Sequence, residues 1–191
     1  MQNQINDKKS APTGSKFIII ITVKLLLISM ITALLLSCVN ALTADKIAGN
    51  AKREKSAAIA EIFPDSERNE QLSFAFEGMT AIYKVYSGDT AIGYAAEATP
   101  LGFGGKLTVM VGVNADGTLA GLKLISHSET PGLGSRVGDS AYLARYNGKS
   151  ANEINDVDAI TGSTVSSNAI REGVKNALDA YTTVFSGGGA K

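Results

Sequence analysis

Residues 17–44 read FIIIITVKLLLISMITALLLSCVNALTA and hold one charged side chain, Lys24. A hydrocarbon core of ~30 Å is crossed by ~20 apolar residues in a helix. Residues 25–44 supply that span with Lys24 at its edge, where a flexible stem lets the ammonium snorkel to the headgroups. A frame over 17–39 is also long enough, but it carries Lys24 deeper into the bilayer. A cleaved signal peptide has a shorter apolar core and a small-residue cleavage site, whereas this run continues toward a charged helical segment. Leu35-Leu36-Ser37-Cys38 is a poor version of a lipidation site, so Cys38 is read as a small apolar residue within the membrane. Charge leaves the orientation open: Lys8, Lys9, Lys16 and Lys24 lie on the N-terminal side, and Lys46, Lys52, Arg53 and Lys55 follow on the other.

Behind the anchor, the composition is that of a folded body. The 191 residues suit one domain with attachments, and 45% hydrophobic content is enough for a core. Lys and Arg balance Asp and Glu at 18 each; the first 44 residues hold four lysines against Asp7, so they are net +3 and the remainder net −3. That balance lacks the basic footprint of a nucleic-acid protein, and no nucleic acid is expected as a partner. One His and one Cys cannot build a His/Cys zinc site or an internal disulfide. No metal and no catalytic residue of the chain's own are therefore expected; the chemistry belongs to something bound.

Residues 45–62 are rich in Ala, Lys and Glu, with Ile47, Ala51, Ala58, Ile59 and Ile62 near one helical stripe and Pro64 as a stop, which predicts a connecting helix. Residues 80–86 and 91–98 read as short strands around Ser87-Gly88-Asp89. In 106–114, Leu107, Val109, Val111 and Val113 alternate with Lys106, Thr108, Met110 and Gly112; Asn114-Ala115-Asp116-Gly117 then turns the chain, and 118–126 returns as the second strand of a hairpin. Residues 166–185 set Ile170, Val174, Leu178, Tyr181 and Phe185 at helical intervals, with Ser166 or Ser167 as the N-cap. Strands in a run with flanking helices predict an α+β fold with a mainly antiparallel sheet. The Gly-rich end, 186–191, reads as a flexible tail.

Two stretches have compositions that a core does not need. His127-Ser128-Glu129-Thr130-Pro131-Gly132-Leu133-Gly134 leaves the hairpin with a proline and two glycines, which let backbone turn tightly and approach a ligand. It is not a dinucleotide fingerprint, because position 137 is Val and Gly138 comes one residue late. A plain strand-exit loop would fit the same residues. Asp158-Ala159-Ile160-Thr161-Gly162-Ser163-Thr164-Val165-Ser166-Ser167 packs five hydroxyls into 161–167, where a Gly turn enters a helix. A helix start offers free N–H groups and a positive dipole end, both of which favour a phosphate. Turn and capping roles would account for the same hydroxyls. No Gly-Lys-Ser/Thr follows, which excludes a Walker loop and speaks against nucleotide hydrolysis.

Asp158-x-x-Thr161-Gly162-Ser163-Thr164 resembles the flavinylation motif of the FMN-binding domain found in the Rnf and Nqr respiratory complexes. In that family the last Thr of the motif is joined through its hydroxyl to the FMN phosphate, and Thr164 is the matching position. Ser163 stands where the family usually carries Ala. The HSETPGLG loop is similar to a segment of the same family that lies near the flavin, and 24–55 resembles its membrane anchor and connecting helix. The resemblance runs from about the anchor to Phe185.

The resemblance implies a G-type subunit of an Rnf-type ion-translocating complex, with an Nqr C-type subunit or a stand-alone anchored flavin module as alternatives. In Rnf complexes electrons pass between ferredoxin and nicotinamide pools, and this subunit contributes a covalent flavin to the relay. FMN esterified to Thr164 is the implied cofactor. Thr161, Gly162, Ser163 and Val165 would hold the phosphate, Asp158 would position the loop or guide the transferase, and Glu129, Thr130, Gly132, Leu133 and Gly134 would lie against the ring. The implied partners are the other Rnf subunits, membrane lipid and a flavin transferase that uses FAD. The family's topology implies a cytoplasmic tail at 1–16, a single-pass anchor at 17–44, a connecting helix at 45–64 and an extracytoplasmic FMN-binding domain at 65–185 in the cell membrane. A tethered hydrolase using Ser128 or Ser163 with His127 is the competing enzyme reading.

Overall fold

The structure, a computed structural model, describes residues 14–73 and 76–186. Residues 1–13 of the expected cytoplasmic tail and 187–191 of the expected flexible tail lie outside the described residues, as does the Phe185 side chain. The chain divides into two units, Met1–Asn50 and Ala51–Lys191.

The first unit is the greater part of α1 (Gly14–Ile62). Among the described residues α1 is the one helix long and apolar enough to cross a membrane. Its large apolar side chains, from Phe17 to Leu42, are exposed, as lipid contact requires. At 1.5 Å rise, residues 17–44 reach about 42 Å, longer than the hydrocarbon core even with some tilt. Ile47, expected on the buried stripe of a connecting helix, is 61% exposed; burial on that stripe begins further along.

In the second unit the chain continues through the last turns of α1 into a five-stranded antiparallel meander. Its strands are β1 (Arg68–Leu72), β2 (Met79–Ser87), β3 (Thr90–Ala98), β4 (Thr108–Asn114) and β5 (Leu119–Ser126), paired in sequence order. Single turns follow, including α2 (Ser140–Leu143), before α3 (Thr164–Tyr181) closes the domain. The architecture is α+β.

Alternation along β4 divides the core. Val109, Val111 and Val113 face one side with Leu107 and pack against Ile170, Val174, Ala177 and Leu178 of α3. Met110 faces the other side and meets Ala58, Ile59 and Phe63 at the end of α1. Both faces of the strand are therefore covered. Gly112 lies on the α1 side because a Cβ there would come within 2.3 Å of Ile62 Cγ2. A missing side chain is what lets the helix end lie close against the sheet.

α3 begins at Thr164, two residues before the expected start, with Ser163 as its N-cap. Ser166 and Ser167 sit in the first turn, fully buried, and the Ser167 hydroxyl accepts the Ile160 N–H at 3.1 Å, stapling the preceding loop. The helix stops at Tyr181, not Phe185, and widens over Thr182–Ser186. The hydroxyls of Thr182 and Thr183 both donate to the Asp179 carbonyl, at 2.9 and 2.8 Å, and compete there with the helical ladder.

Candidate functional site

The loop leaving β5 is built on Thr130-Pro131-Gly132-Leu133. Pro131 presets the first central position, Gly132 supplies φ +74°, and the Leu133 N–H returns to the Thr130 carbonyl at 3.2 Å. This is the pattern of a type II turn. The Gly132 N–H donates to Ser135 Oγ at 2.9 Å, and a 3₁₀ turn over Gly134–Gly138 follows.

The second loop enters α3 through Gly162, whose φ of +83° a side chain would resist. The Ser163 hydroxyl does not cap the helix; it donates to the Leu133 carbonyl at 2.6 Å, across 30 residues of chain. One hydrogen bond thus joins the two stretches that the sequence singles out. Arg171 steadies the same loop from within α3, donating to the Val157 carbonyl at 2.7 Å.

Between the loops lies a cavity of about 320 Å³, lined by Phe103, Glu129, Thr130, Leu133, Gly134 and residues 162–166. That volume is within the range of small-molecule sites, roughly 300–1,000 Å³. Of the expected residues, Glu129, Thr130, Leu133, Gly134, Gly162, Ser163, Thr164 and Val165 share this wall. Gly132 shapes the turn without lining the cavity, and Asp158 and Thr161 are exposed and off its wall. A larger hollow of about 860 Å³ beside Phe63, Ser87 and Asn114 contains none of them.

Phe103 has no counterpart in the sequence-based expectation. It tips a tight loop between β3 and β4, closed by Gly102 N–H to the Gly105 carbonyl at 2.8 Å and Leu107 N–H to the Pro100 carbonyl at 2.9 Å. Its ring is 75% exposed at the cavity mouth. The available signal was its setting, one aromatic among Gly102, Gly104 and Gly105 in a segment too short to need a core residue. Leu133 and Val165 are the other exposed large apolar side chains on the lining.

Glu129 is 5% exposed. Its Oε1 accepts the Gly104 N–H at 3.2 Å, its own N–H donates to His127 Nδ1 at 3.2 Å, and Oε2 is buried with no hydrogen-bond partner among the described residues. The carboxylate sits close against Gly102 and Gly134, where an added Cβ would meet one of its oxygens and oblige the side chain to shift. The Ser163 hydroxyl is committed to the Leu133 carbonyl and His127 Nδ1 to the Glu129 N–H, and among the described residues no hydrogen bond joins His127 to Ser128 or Ser163.

The first turn of α3 faces the cavity with Thr164 as its first residue, followed by Val165 and Ser166, and no side chain caps it. The lining holds hydroxyls and backbone N–H groups but no Lys or Arg. An anion there meets the positive end of the helix with no cationic side chain beside it. Replacing Ser163 by Ala is expected to cost about 1 kcal/mol through the lost bond to Leu133, with the loops still joined by packing. A larger loss in a thermal melt would mean that this hydrogen bond alone positions the turn.

A sequence model of the FMN-binding domain matches residues 102–179. The chain is 32% identical over 115 residues to the G subunit of the proton-translocating ferredoxin:NAD(+) oxidoreductase complex of Clostridium ljungdahlii, a match covering 56% of this chain and 62% of that protein. It is 31% identical over 153 residues to the G subunit of the ion-translocating oxidoreductase complex of Cereibacter sphaeroides, covering 75% of this chain and 67% of the relative. It is 28% identical over 183 residues to the G subunit of the Na(+)-translocating ferredoxin:NAD(+) oxidoreductase complex of Acetobacterium woodii, covering 82% of this chain and 88% of the relative. With its apolar N-terminal helix and its FMN-binding domain at 102–179, the chain belongs to the G-subunit family of ion-translocating oxidoreductase complexes.

Proposed function

We propose that this chain is the flavin-bearing subunit of a membrane complex that couples electron transfer between ferredoxin and nicotinamide pools to ion translocation, with FMN esterified to Thr164. The observation that carries the reading is the convergence of two loops, 30 residues apart in sequence, on one cavity whose wall includes Thr164 at the uncapped start of α3. When bound, FMN supplies the one- and two-electron chemistry.

The chain's own residues hold and orient it. Thr164 would supply the hydroxyl oxygen that attacks the FMN-side phosphorus of FAD on a flavin transferase, giving up its proton as AMP leaves. The free N–H groups of the first turn of α3 would receive the phosphate, and Gly162 would keep the backbone clear of it. Phe103, Leu133 and Val165 would give the ring apolar contacts. With no cation on the lining, a phosphate has no ion pair to retain it, which favours a covalent tether over reversible binding.

Asp158, exposed and off the cavity wall, suits recognition by the transferase better than contact with a phosphate it would repel. The topology that fits is a single-pass anchor at 17–44, a link at 45–64 and the flavin domain at 65–185 on the extracytoplasmic face, with the remaining subunits as neighbours. Intact mass of the protein isolated from its native, respiring host is expected to carry an FMN-sized increment, mapping to the peptide that contains Thr164. A bare peptide from that source overturns the reading.

A further inference from the structure

We propose that Arg171 is a positioning residue for flavin attachment, holding the Val157 carbonyl so that Asp158 stands in fixed register with Thr164 for a transferase to read together; this rests on the FMN reading above. The segment from Val157 to Thr164 forms two rows at three-residue spacing. Val157 and Ser163 are buried and Ile160 is half-buried, whereas Asp158, Thr161 and Thr164 are exposed. The inner row is fastened to one stripe of α3 and its cap. Ser163 donates to the Leu133 carbonyl, Ser167 accepts the Ile160 N–H at 3.1 Å, and Arg171 Nη2 donates to the Val157 carbonyl at 2.7 Å. Positions 163, 167 and 171 are four apart and so share a helix face. The other arm of the guanidinium, Nη1, donates to Asn168 Oδ1 at 2.9 Å, which fixes the orientation of the fork.

Stability alone does not account for an arginine at this place. It is half-buried, makes no ion pair among the described residues, and keeps its Nε buried without a hydrogen-bond partner. A cation so placed is short of solvation, which offsets much of what its contacts contribute. The short, charge-assisted bond that it does make lands on the residue before Asp158. Thr164 is held independently, by α3 and by the Ser163 bond to Leu133. Among the described residues no other hydrogen bond holds 157–159, so without Arg171 the nearest pin to Asp158 is at Ile160. The step served is a group transfer. Thr164 Oγ1 bonds to the FMN-side phosphorus of FAD, the pyrophosphate P–O bond breaks, AMP leaves and the hydroxyl proton is released. Arg171 touches none of these atoms; it acts through the place at which Asp158 stands.

The test uses the full-length, detergent-solubilised chain prepared without flavin, incubated with FAD and a purified flavin transferase, and followed by the FMN mass increment. Arg171→Met keeps an apolar stem and removes every donor. Its KM for the chain is expected to rise roughly tenfold, the scale of one charged hydrogen bond, with kcat near wild type. Arg171→Lys still reaches the carbonyl but cannot also hold Asn168, and should recover most of that loss. In an Asp158→Asn background Arg171→Met should add little, because the group that it positions is already gone. Asn168→Ala, at an exposed site, should raise KM by a smaller factor.

Wild-type KM in Arg171→Met overturns the inference and leaves the FMN reading intact. So does a lowered melting temperature with unchanged transfer kinetics, the mark of a residue that only braces the fold. A fall in kcat alone assigns Arg171 to Thr164 and overturns the role through Asp158, as do effects of Arg171→Met and Asp158→Asn that multiply in full. Should Arg171→Met not fold, wild-type KM in Asn168→Ala overturns the inference. Absence of any flavin increment in wild type overturns the FMN reading and the inference with it.

Discussion

Thr164→Ala is expected to abolish covalent flavin completely, read as loss of both the FMN mass increment and in-gel fluorescence after denaturation. On the proposed linkage the effect is all-or-none, because the threonine hydroxyl would itself be the phosphoester oxygen and alanine offers no atom for the bond. The same change should barely touch the fold. Thr164 is exposed at the first position of α3, and its hydroxyl makes no hydrogen bond that the helix depends on; surface changes of this kind fall within about 0.5 kcal/mol. Thr164→Ser keeps a hydroxyl at the same point and should retain an increment. Fluorescence persisting in Thr164→Ala would move the attachment to another of the five clustered hydroxyls, which the peptide map would then identify.

The hairpin and the anchor were the most legible parts of the sequence because each rests on a long unbroken pattern. Alternation through Leu107, Val109, Val111 and Val113 reports one buried face, and twenty apolar residues report a helix long enough to cross a membrane. β1 escaped the same logic. Its residues, Arg68 to Leu72, are nearly all exposed, and it is held only by pairing with β2 at the sheet edge, so no buried face marks it. The turns between 134 and 156 are each too short for a period to develop.

At the site, the two motif loops could be found by composition, but their meeting could not. The hydrogen bond from Ser163 to Leu133 depends on how β5 delivers one loop to the start of α3. Phe103 carried no periodic signal because a loop tip has none. The N-cap was expected at Ser166 or Ser167 because nearby serines are equivalent in sequence; all three are buried, and the helix starts earlier, at Thr164, with Ser163 at the cap position.

Lys55→Ala should give the largest loss of stability among single surface-to-core changes in the domain, about 3 kcal/mol in chemical unfolding of the solubilised protein. Glu97 lies on β3 with its side chain 6% exposed, and Lys55 Nζ reaches its Oε2 at 2.7 Å from the last turns of α1. Removing the lysine leaves a carboxylate in a poorly solvated place, whereas removing the carboxylate leaves a lysine that is already 31% exposed and can turn to water. Glu97→Ala should therefore cost less, about 1 kcal/mol, and Lys55→Met with Glu97→Leu together should be close to neutral. Equal costs for the two single changes would mean that Glu97 is better solvated than its burial implies. The pH dependence has a fixed sign. The hydrogen bond to Glu97 raises the Lys55 pKa above 10.5, so the pair's contribution is complete below the unfolded lysine value and fades as pH rises through the higher folded one. Base should weaken the wild-type domain in that range and leave the Met/Leu variant without this component, which is how an ionic lock between the end of α1 and the sheet is told from apolar packing by Ile59 and Phe63.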